Sequence, residues 1–318
     1  MPRPKAVSPS AKTPAPDWLG SLVVPEALVP GDYEYPLDRR ALETFQSIPG
    51  AGWLVGKFLD FVMEFGHSDL LGQSVRVSPK QFPRIHALAS KTGDILHLKP
   101  PPVFILENPR PNAYAMGSGE EKAFVVLTRR LIEVLDEREL FFVLGHEFAH
   151  VKSQHILYHT LAIYLANAGL FAGRTLPWIR LLSIPAQLAL NAWARRSEIS
   201  CDRAGLVACQ DLKVAQKAVL TISCGSKELA DQVDLKEYLR QDDDLKKTHG
   251  RFNELLSTHP YMPKRLRCLK LFADGEFFVR HILRRAEKGY LLPSRLDEAV
   301  GQILAGETPR SFHKTKDA

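Results

Sequence analysis

The chain has 318 residues, enough for one large domain or two small ones around a real core. Hydrophobic residues make up 45% and charged residues 25%, the balance of an ordinary globular protein rather than of a disordered or low-complexity chain. The net charge of +6 comes without a dense Lys/Arg run or a nucleic-acid motif, so nucleic acid is excluded as a partner and the charge reads as a solvated surface with mild attraction for anionic faces.

Residues 1–16 are rich in Pro, Ser, Ala and Lys and read as a disordered tail. Residues 17–76 read as an N-terminal helical extension. Within it, apolar positions over 48–65 recur at helical spacing, which favours a helix packed on the main domain over one lying on a membrane. A second helix is expected over 78–92. Extended segments follow at 102–107 (PVFILE), 112–116 and 123–128 (AFVVLT), the last two joined as a hairpin through Gly117-Ser118-Gly119. Beyond them the pattern is helical, so a small antiparallel sheet beside a helical body predicts an α+β fold. Apolar runs at 161–173 and 181–193 fall short of the roughly 20 residues a membrane span needs. They read as a buried or membrane-touching hairpin, leaving peripheral membrane contact open. Residues 306–318 read as a polar tail.

Cys201, Cys209, Cys224 and Cys268 form no CxxC pair, and no apolar segment of a secretory leader precedes them. The expectation is reduced thiols and a cytoplasmic protein, with membrane association open.

The segment Gly145-His146-Glu147-Phe148-Ala149-His150 fits HExxH. Histidines four apart share one helical face and can converge on a zinc ion. Glu147 is rotated about 100° away, where a general base can reach a metal-held water. Asp136 and Glu139 form a capping-box pattern ahead of an apolar run, which supports the helix, and small Gly145 permits close packing. Chance would produce HExxH in roughly 2% of chains of this composition, so the bare match is suggestive only.

Downstream, Ser197-Glu198-Ile199-Ser200-Cys201-Asp202-Arg203-Ala204-Gly205 supplies the rest. A hydrolytic zinc site takes three protein ligands and an open position, and Glu198 is the candidate third ligand. Asp202, one turn later, is placed to accept the free ring N–H of a ligating histidine. Ser197 is a candidate cap for this helix, and Cys201 reads as a packing residue.

HEFAH followed by SEISCDRAG resembles the zinc metallopeptidases of the HtpX and CAAX prenyl protease type, gluzincins with HExxH plus an ExxxD segment. Asn112-Ala113-Tyr114-Ala115, His155 and Ser257-Thr258-His259-Pro260 with Arg265 match further segments of that family, over about residues 101–270. The resemblance implies a zincin-like metallopeptidase domain over 77–305 and one Zn²⁺ per chain held by His146, His150 and Glu198. It implies endopeptidase action on peptide or protein substrates, with Glu147 activating a zinc-bound water. It further implies that Asp202 orients a ligand, that Asn112, Ala113, Tyr114 and Ala115 form an edge strand pairing with substrate, and that His259 and Arg265 lie near the reacting carbonyl. His155 and His159 read as local helix contacts.

Overall fold

The computed structural model describes residues 15–160, 177–246, 254–285 and 289–309, with 48, 51–52, 54, 58–59, 61–67, 69 and 255 excepted. The expected tail up to residue 14, most of the 48–65 helix, the 161–173 run and the polar tail from 310 lie outside these residues.

The principal helices are α1 (Pro36–Gln46), α2 (Pro83–Leu96), α3 (Glu137–Lys152), α4 (Pro177–Cys209), α5 (Leu212–Cys224), α6 (Leu235–Lys246), α7 (Met262–Ala273) and α8 (Pro293–Leu304). The sheet comprises β1 (Ser74–Arg76), β2 (Val103–Leu106), β3 (Ala113–Met116) and β4 (Phe124–Thr128), in the order β1-β2-β4-β3. The fold is α+β and mostly helical, as expected.

The three extended segments form strands, and the 112–128 hairpin closes antiparallel, with Ala115 opposite Val125. A Cβ at Gly117 would stand 2.8 Å from Ala123 Cα, so this turn needs glycine. The sheet differs from the wholly antiparallel expectation in one pair: β2 and β4 run parallel, with Val103 opposite Val125. The reason is that β3 leaves β2 and folds back on the far side of β4, so the hairpin is inserted at an edge and β2 meets β4 directly. Side chains alternate across the sheet. Phe104, Phe124 and Val126 cluster with Leu70 on one face, while Val103, Val125 and Leu127 enter the main core under α2 and α3.

Helix α2 begins at Pro83, later than the expected 78. Ser78 and Gln81 exchange backbone hydrogen bonds in a tight turn, Phe82 takes a positive φ of 58°, and the proline then starts the helix in its first turn. Helix α4 has 33 residues, about 50 Å at 1.5 Å per residue. It runs unbroken through Ser197, which therefore caps nothing. The Ser197 hydroxyl donates instead to the Ala194 carbonyl at 2.8 Å, and it meets His159 Nε2 at 2.8 Å. No helix among the described residues is long and apolar enough to cross a membrane. All four cysteines are free thiols.

Candidate metal centre

Helix α3 starts on the capping box read from the sequence. The Asp136 carboxylate accepts from the Arg138 and Glu139 amides at 3.0 and 2.9 Å, and Glu139 accepts from the Asp136 amide at 2.9 Å. This end fixes the rotation of the helix, and apolar Leu140, Phe141, Leu144 and Phe148 bury it. Helix α4 crosses α3 very closely. A Cβ on Gly145 would lie 2.7 Å from Ala208 Cβ, and one on Gly205 would lie 2.8 Å from the Phe142 carbonyl oxygen. Two glycines facing each other thus bring Glu198 and Asp202 of α4 up to the histidines of α3.

His146 Nε2 lies 3.5 Å from Glu198 Oε2, and His150 Nε2 lies 3.4 Å from Glu198 Oε1. These separations are long for hydrogen bonds. They run to the two different oxygens of Glu198, so the carboxylate straddles the two imidazoles. Glu198 Oε2 is buried without a hydrogen-bond partner among the described residues, and its charge is met in part by the Arg265 guanidinium nearby. The donor set of two imidazoles and a carboxylate suits zinc.

Asp202 Oδ1 accepts from His146 Nδ1 at 3.1 Å, the orienting bond expected of it. Arg265, from α7, grips both Asp202 oxygens at 2.8 and 2.6 Å and approaches Glu198 Oε2 at 3.4 Å. The guanidinium is buried with these two carboxylates. His259 is different: its side chain is 55% exposed, with Nε2 3.5 Å from Glu198 Oε1 and Nδ1 2.9 Å from the Thr258 hydroxyl.

The electrostatics separate the carboxylates. Burial pushes the Glu147 carboxyl up, and although His146 pulls it down, it settles at about 7. Burial also acts on Glu198, but the surrounding imidazoles of His259, His146 and His150 outweigh it and hold the acid well below the usual carboxylate range. For Asp202, the Arg265 cation overcomes burial and lowers it likewise. Burial depresses His150 to about 4, whereas at His146 the carboxylates of Glu198 and Asp202 outweigh burial and raise the imidazole to about 10, so a metal bound there would displace a proton from His146.

A cavity of about 370 Å³ opens on this group and is lined by His146, Glu147, Glu198, His259, Arg265, Asn112 and Ala113 together with apolar side chains. Strand β3 lies at the sheet edge, and its Ala115 amide is directed to the Glu147 carboxylate. Of the four strand residues singled out from the sequence, Asn112 and Ala113 border the cavity, while Tyr114 packs on the opposite face of the sheet. Asn112 extends the pairing of β3, accepting from the Thr128 amide at 3.0 Å.

Two other potential ligands lie close, since Cys201 can join His146 and His150, and His159 can join His150 and Glu198. Both are otherwise engaged: Cys201 Sγ contacts His155 Nδ1 at 3.5 Å, and His159 Nε2 is bound to Ser197. Burial also drives the Cys201 thiol well above its ordinary value, which keeps it a neutral packing group. The sequence reading missed the apolar side of the cavity. Its one available signal was the i, i+3 pair Val219 and Ile222 on the apolar face of α5.

The family model described as peptidase family M48 matches residues 79–272. The chain is 30% identical over 215 residues to the "Plastoglobule-localized metallopeptidase 48, chloroplastic" of Arabidopsis thaliana, covering 66% of this chain and 60% of that protein. It is 26% identical over 254 residues to the "Protease HtpX homolog" of Aquifex aeolicus, covering 68% of this chain and 81% of that one. Over a shorter stretch of 95 residues it is 40% identical to the "Protease HtpX homolog" of Moorella thermoacetica, 30% of this chain and 32% of that one. The match thus spans less than two thirds of the Arabidopsis protein's length. No solved structure matches. With an HExxH helix and its downstream carboxylates inside a match that covers more than half of its length, the chain belongs to peptidase family M48.

Proposed function

We propose that the chain is a zinc-dependent endopeptidase that hydrolyses internal bonds of peptide or protein substrates, through a metallopeptidase domain spanning about residues 77–305. The observation that carries this reading is Glu147. It is a buried carboxylate, one residue from a candidate ligand, in a cavity bordered by β3, the edge strand of the sheet among the described residues. A site that only bound metal for structure would have no use for it.

In this reading His146, His150 and Glu198 hold one Zn²⁺. When bound, zinc supplies Lewis-acid polarisation and lowers the pKa of water from 15.7 to about 7. The substrate backbone pairs with β3 along residues 112–115, which places the scissile carbonyl over the cavity. Glu147 takes a proton from the attacking water as the new C–O bond forms. It then delivers that proton to the amide nitrogen as the C–N bond breaks. His259, the exposed imidazole at the mouth, donates to the carbonyl oxygen as negative charge gathers there. Arg265 lies behind the ligands and acts on that charge through Glu198 and Asp202, which it holds in place.

The reading extends to the protein's setting. The Arabidopsis relative is named for plastoglobules, and peripheral membrane contact is the association proposed for this chain.

The test compares wild type with Glu147→Gln for bound zinc and for cleavage of casein or a peptide panel. One equivalent of zinc in both is expected, with cleavage in wild type alone and abolished by a chelator. Turnover by Glu147→Gln at the wild-type rate would overturn the assignment of the base, and absence of zinc from both would overturn the metal site.

A further inference from the structure

Resting on the peptidase reading, we infer that Arg195 is the positioning residue for His259. Its guanidinium clamps residues 256–261 against α4 and so holds that imidazole over the reacting carbonyl.

The clamp is built from one face of α4. Asn191, Arg195 and Glu198 stand four and three positions apart, so their side chains leave the helix in one row. Glu198 ends among the histidines of α3, while the other two end on the backbone that carries His259. Arg195 Nη1 donates to the Glu254 carbonyl at 2.9 Å and to the Ser257 carbonyl at 2.7 Å. Asn191 Nδ2 donates to the Leu256 carbonyl at 3.1 Å. The guanidinium is always charged, and a hydrogen bond from an ionised donor is roughly twice as strong as a neutral one.

A second set of bonds fixes the far end. The buried Glu254 carboxylate accepts from the Tyr261 amide at 3.1 Å and from Lys264 Nζ at 2.6 Å, and Tyr261 leads directly into α7. Between these points, Ser257 Oγ donates to the His259 carbonyl at 2.9 Å and accepts from the His259 amide at 3.2 Å. His259 thus lies two residues from Ser257 and two from Tyr261, and two residues of chain reach at most about 7 Å.

The imidazole itself is lightly held. Its side chain is largely exposed, meeting the Thr258 hydroxyl at 2.9 Å and lying 3.5 Å from Glu198 Oε1. Its place at the mouth of the cavity is therefore set by the backbone beneath it. Because Arg195 and Glu198 ride on one helix, the clamp fixes His259 relative to a candidate metal ligand. A donor displaced by about 1 Å can cost as much as roughly 100-fold in rate, so the clamp bears on turnover without touching the substrate.

The test is a double-mutant cycle in the full-length zinc-loaded protein on one peptide substrate. It uses Arg195→Met, His259→Ala and the two together, with zinc content measured for each. His259→Ala is expected to lower kcat about 100-fold, the cost of one oxyanion donor, and Arg195→Met about tenfold, with KM within about threefold of wild type in both. The double variant is expected to be no slower than His259→Ala alone, because the clamp has nothing to position once the imidazole is gone. Both Arg195 bonds leave one nitrogen, so Arg195→Lys recovers most of the loss. Amide hydrogen exchange read by mass spectrometry needs no turnover: residues 256–261 exchange about tenfold or more faster in Arg195→Met, while the α3 amides are unchanged. If Arg195→Met does not fold, Arg195→Gln, which keeps a shorter neutral donor, runs through the same cycle. Losses that multiply in the double variant, or exchange at 256–261 unchanged by the substitution, overturn this inference and leave the peptidase reading standing. Wild-type protein that binds zinc and cleaves nothing overturns both.

Discussion

Asp202 carries more of the metal centre than its place behind the ligands suggests. It accepts a hydrogen bond from His146 Nδ1 and is itself held on both oxygens by Arg265, so one carboxylate orients an imidazole and anchors α7 to α4. Asp202→Asn keeps the shape and removes the charge. The imidazole becomes a weaker donor, and zinc affinity is expected to fall about 10–100-fold, read by competition with a chromogenic chelator. Unchanged affinity would show that His146 is oriented by other groups. Asp202 was legible in the sequence because it lies one helical turn from Glu198, and such spacing survives in any helix. Its partner Arg265 is 63 positions away. No local pattern pairs the two residues, so the buried clamp emerges only when α7 packs on α4.

At the level of elements, the site depends on how closely two helices approach. Gly145 and Gly205 set the approach of α3 and α4, but they do not face equal obstacles. A Cβ at 145 meets the Ala208 methyl at 2.7 Å and Gly205 Cα at 3.0 Å, whereas one at 205 meets the Phe142 ring and its carbonyl oxygen, both at 2.8 Å. Helix propensity alone would favour alanine at either position by up to about 1 kcal/mol. Overpacking, at about 1–3 kcal/mol, outweighs it. Both Gly145→Ala and Gly205→Ala are therefore expected to lower stability in urea denaturation, Gly205→Ala the more, because a backbone carbonyl cannot rotate away. Both also weaken zinc binding by separating the histidines from Glu198. A Gly205→Ala variant as stable as wild type would refute the close crossing. The capping box of α3 could be read from the four residues Asp136 to Glu139, since its bonds are local. The unbroken course of α4 through Ser197 could not: serine suits a cap, and only packing against α3 and His159 keeps it inside the helix.

Across the whole molecule, segments far outside the HExxH region lock the two helices of the candidate metal centre. Asp38 of α1 is fully buried; it lies 3.1 Å from His155 Nε2 and accepts the Ser200 hydroxyl at 2.5 Å. Arg203 reaches from α4 to Asp297 of α8 at 2.9 Å. Burial tends to raise the Asp38 carboxyl, but His155 and the hydroxyl of Ser200 outweigh it, and the folded-state value falls below 3.8. A lowered carboxylate contributes stability above its unfolded value, and the contribution is lost as pH falls through the folded one. The stability difference between wild type and Asp38→Asn, about 1–3 kcal/mol at neutral pH, is thus expected to hold down to about pH 4 and to shrink below it. Chemical denaturation of both proteins between pH 7 and pH 2.5 checks this, and a constant difference would mean that Asp38 is not ionised in the fold.

Those features of the protein that depend on short-range periodicity were determined by the sequence alone. Two histidines at i and i+4, a carboxylate pair at the same interval, a cap three residues from its partner and strands bounded by glycine each satisfy local geometry wherever the chain carries them. Tertiary structure decided everything that joins distant segments: the parallel pairing of β2 with β4, Arg265 on Asp202, Asp38 beneath His155, and the apolar wall of Val219, Ile222 and Leu131 beside Glu147. Buried charges and apolar side chains acquire their partners only when separate elements exclude water from the same place, and no periodicity along a single segment records which elements those will be.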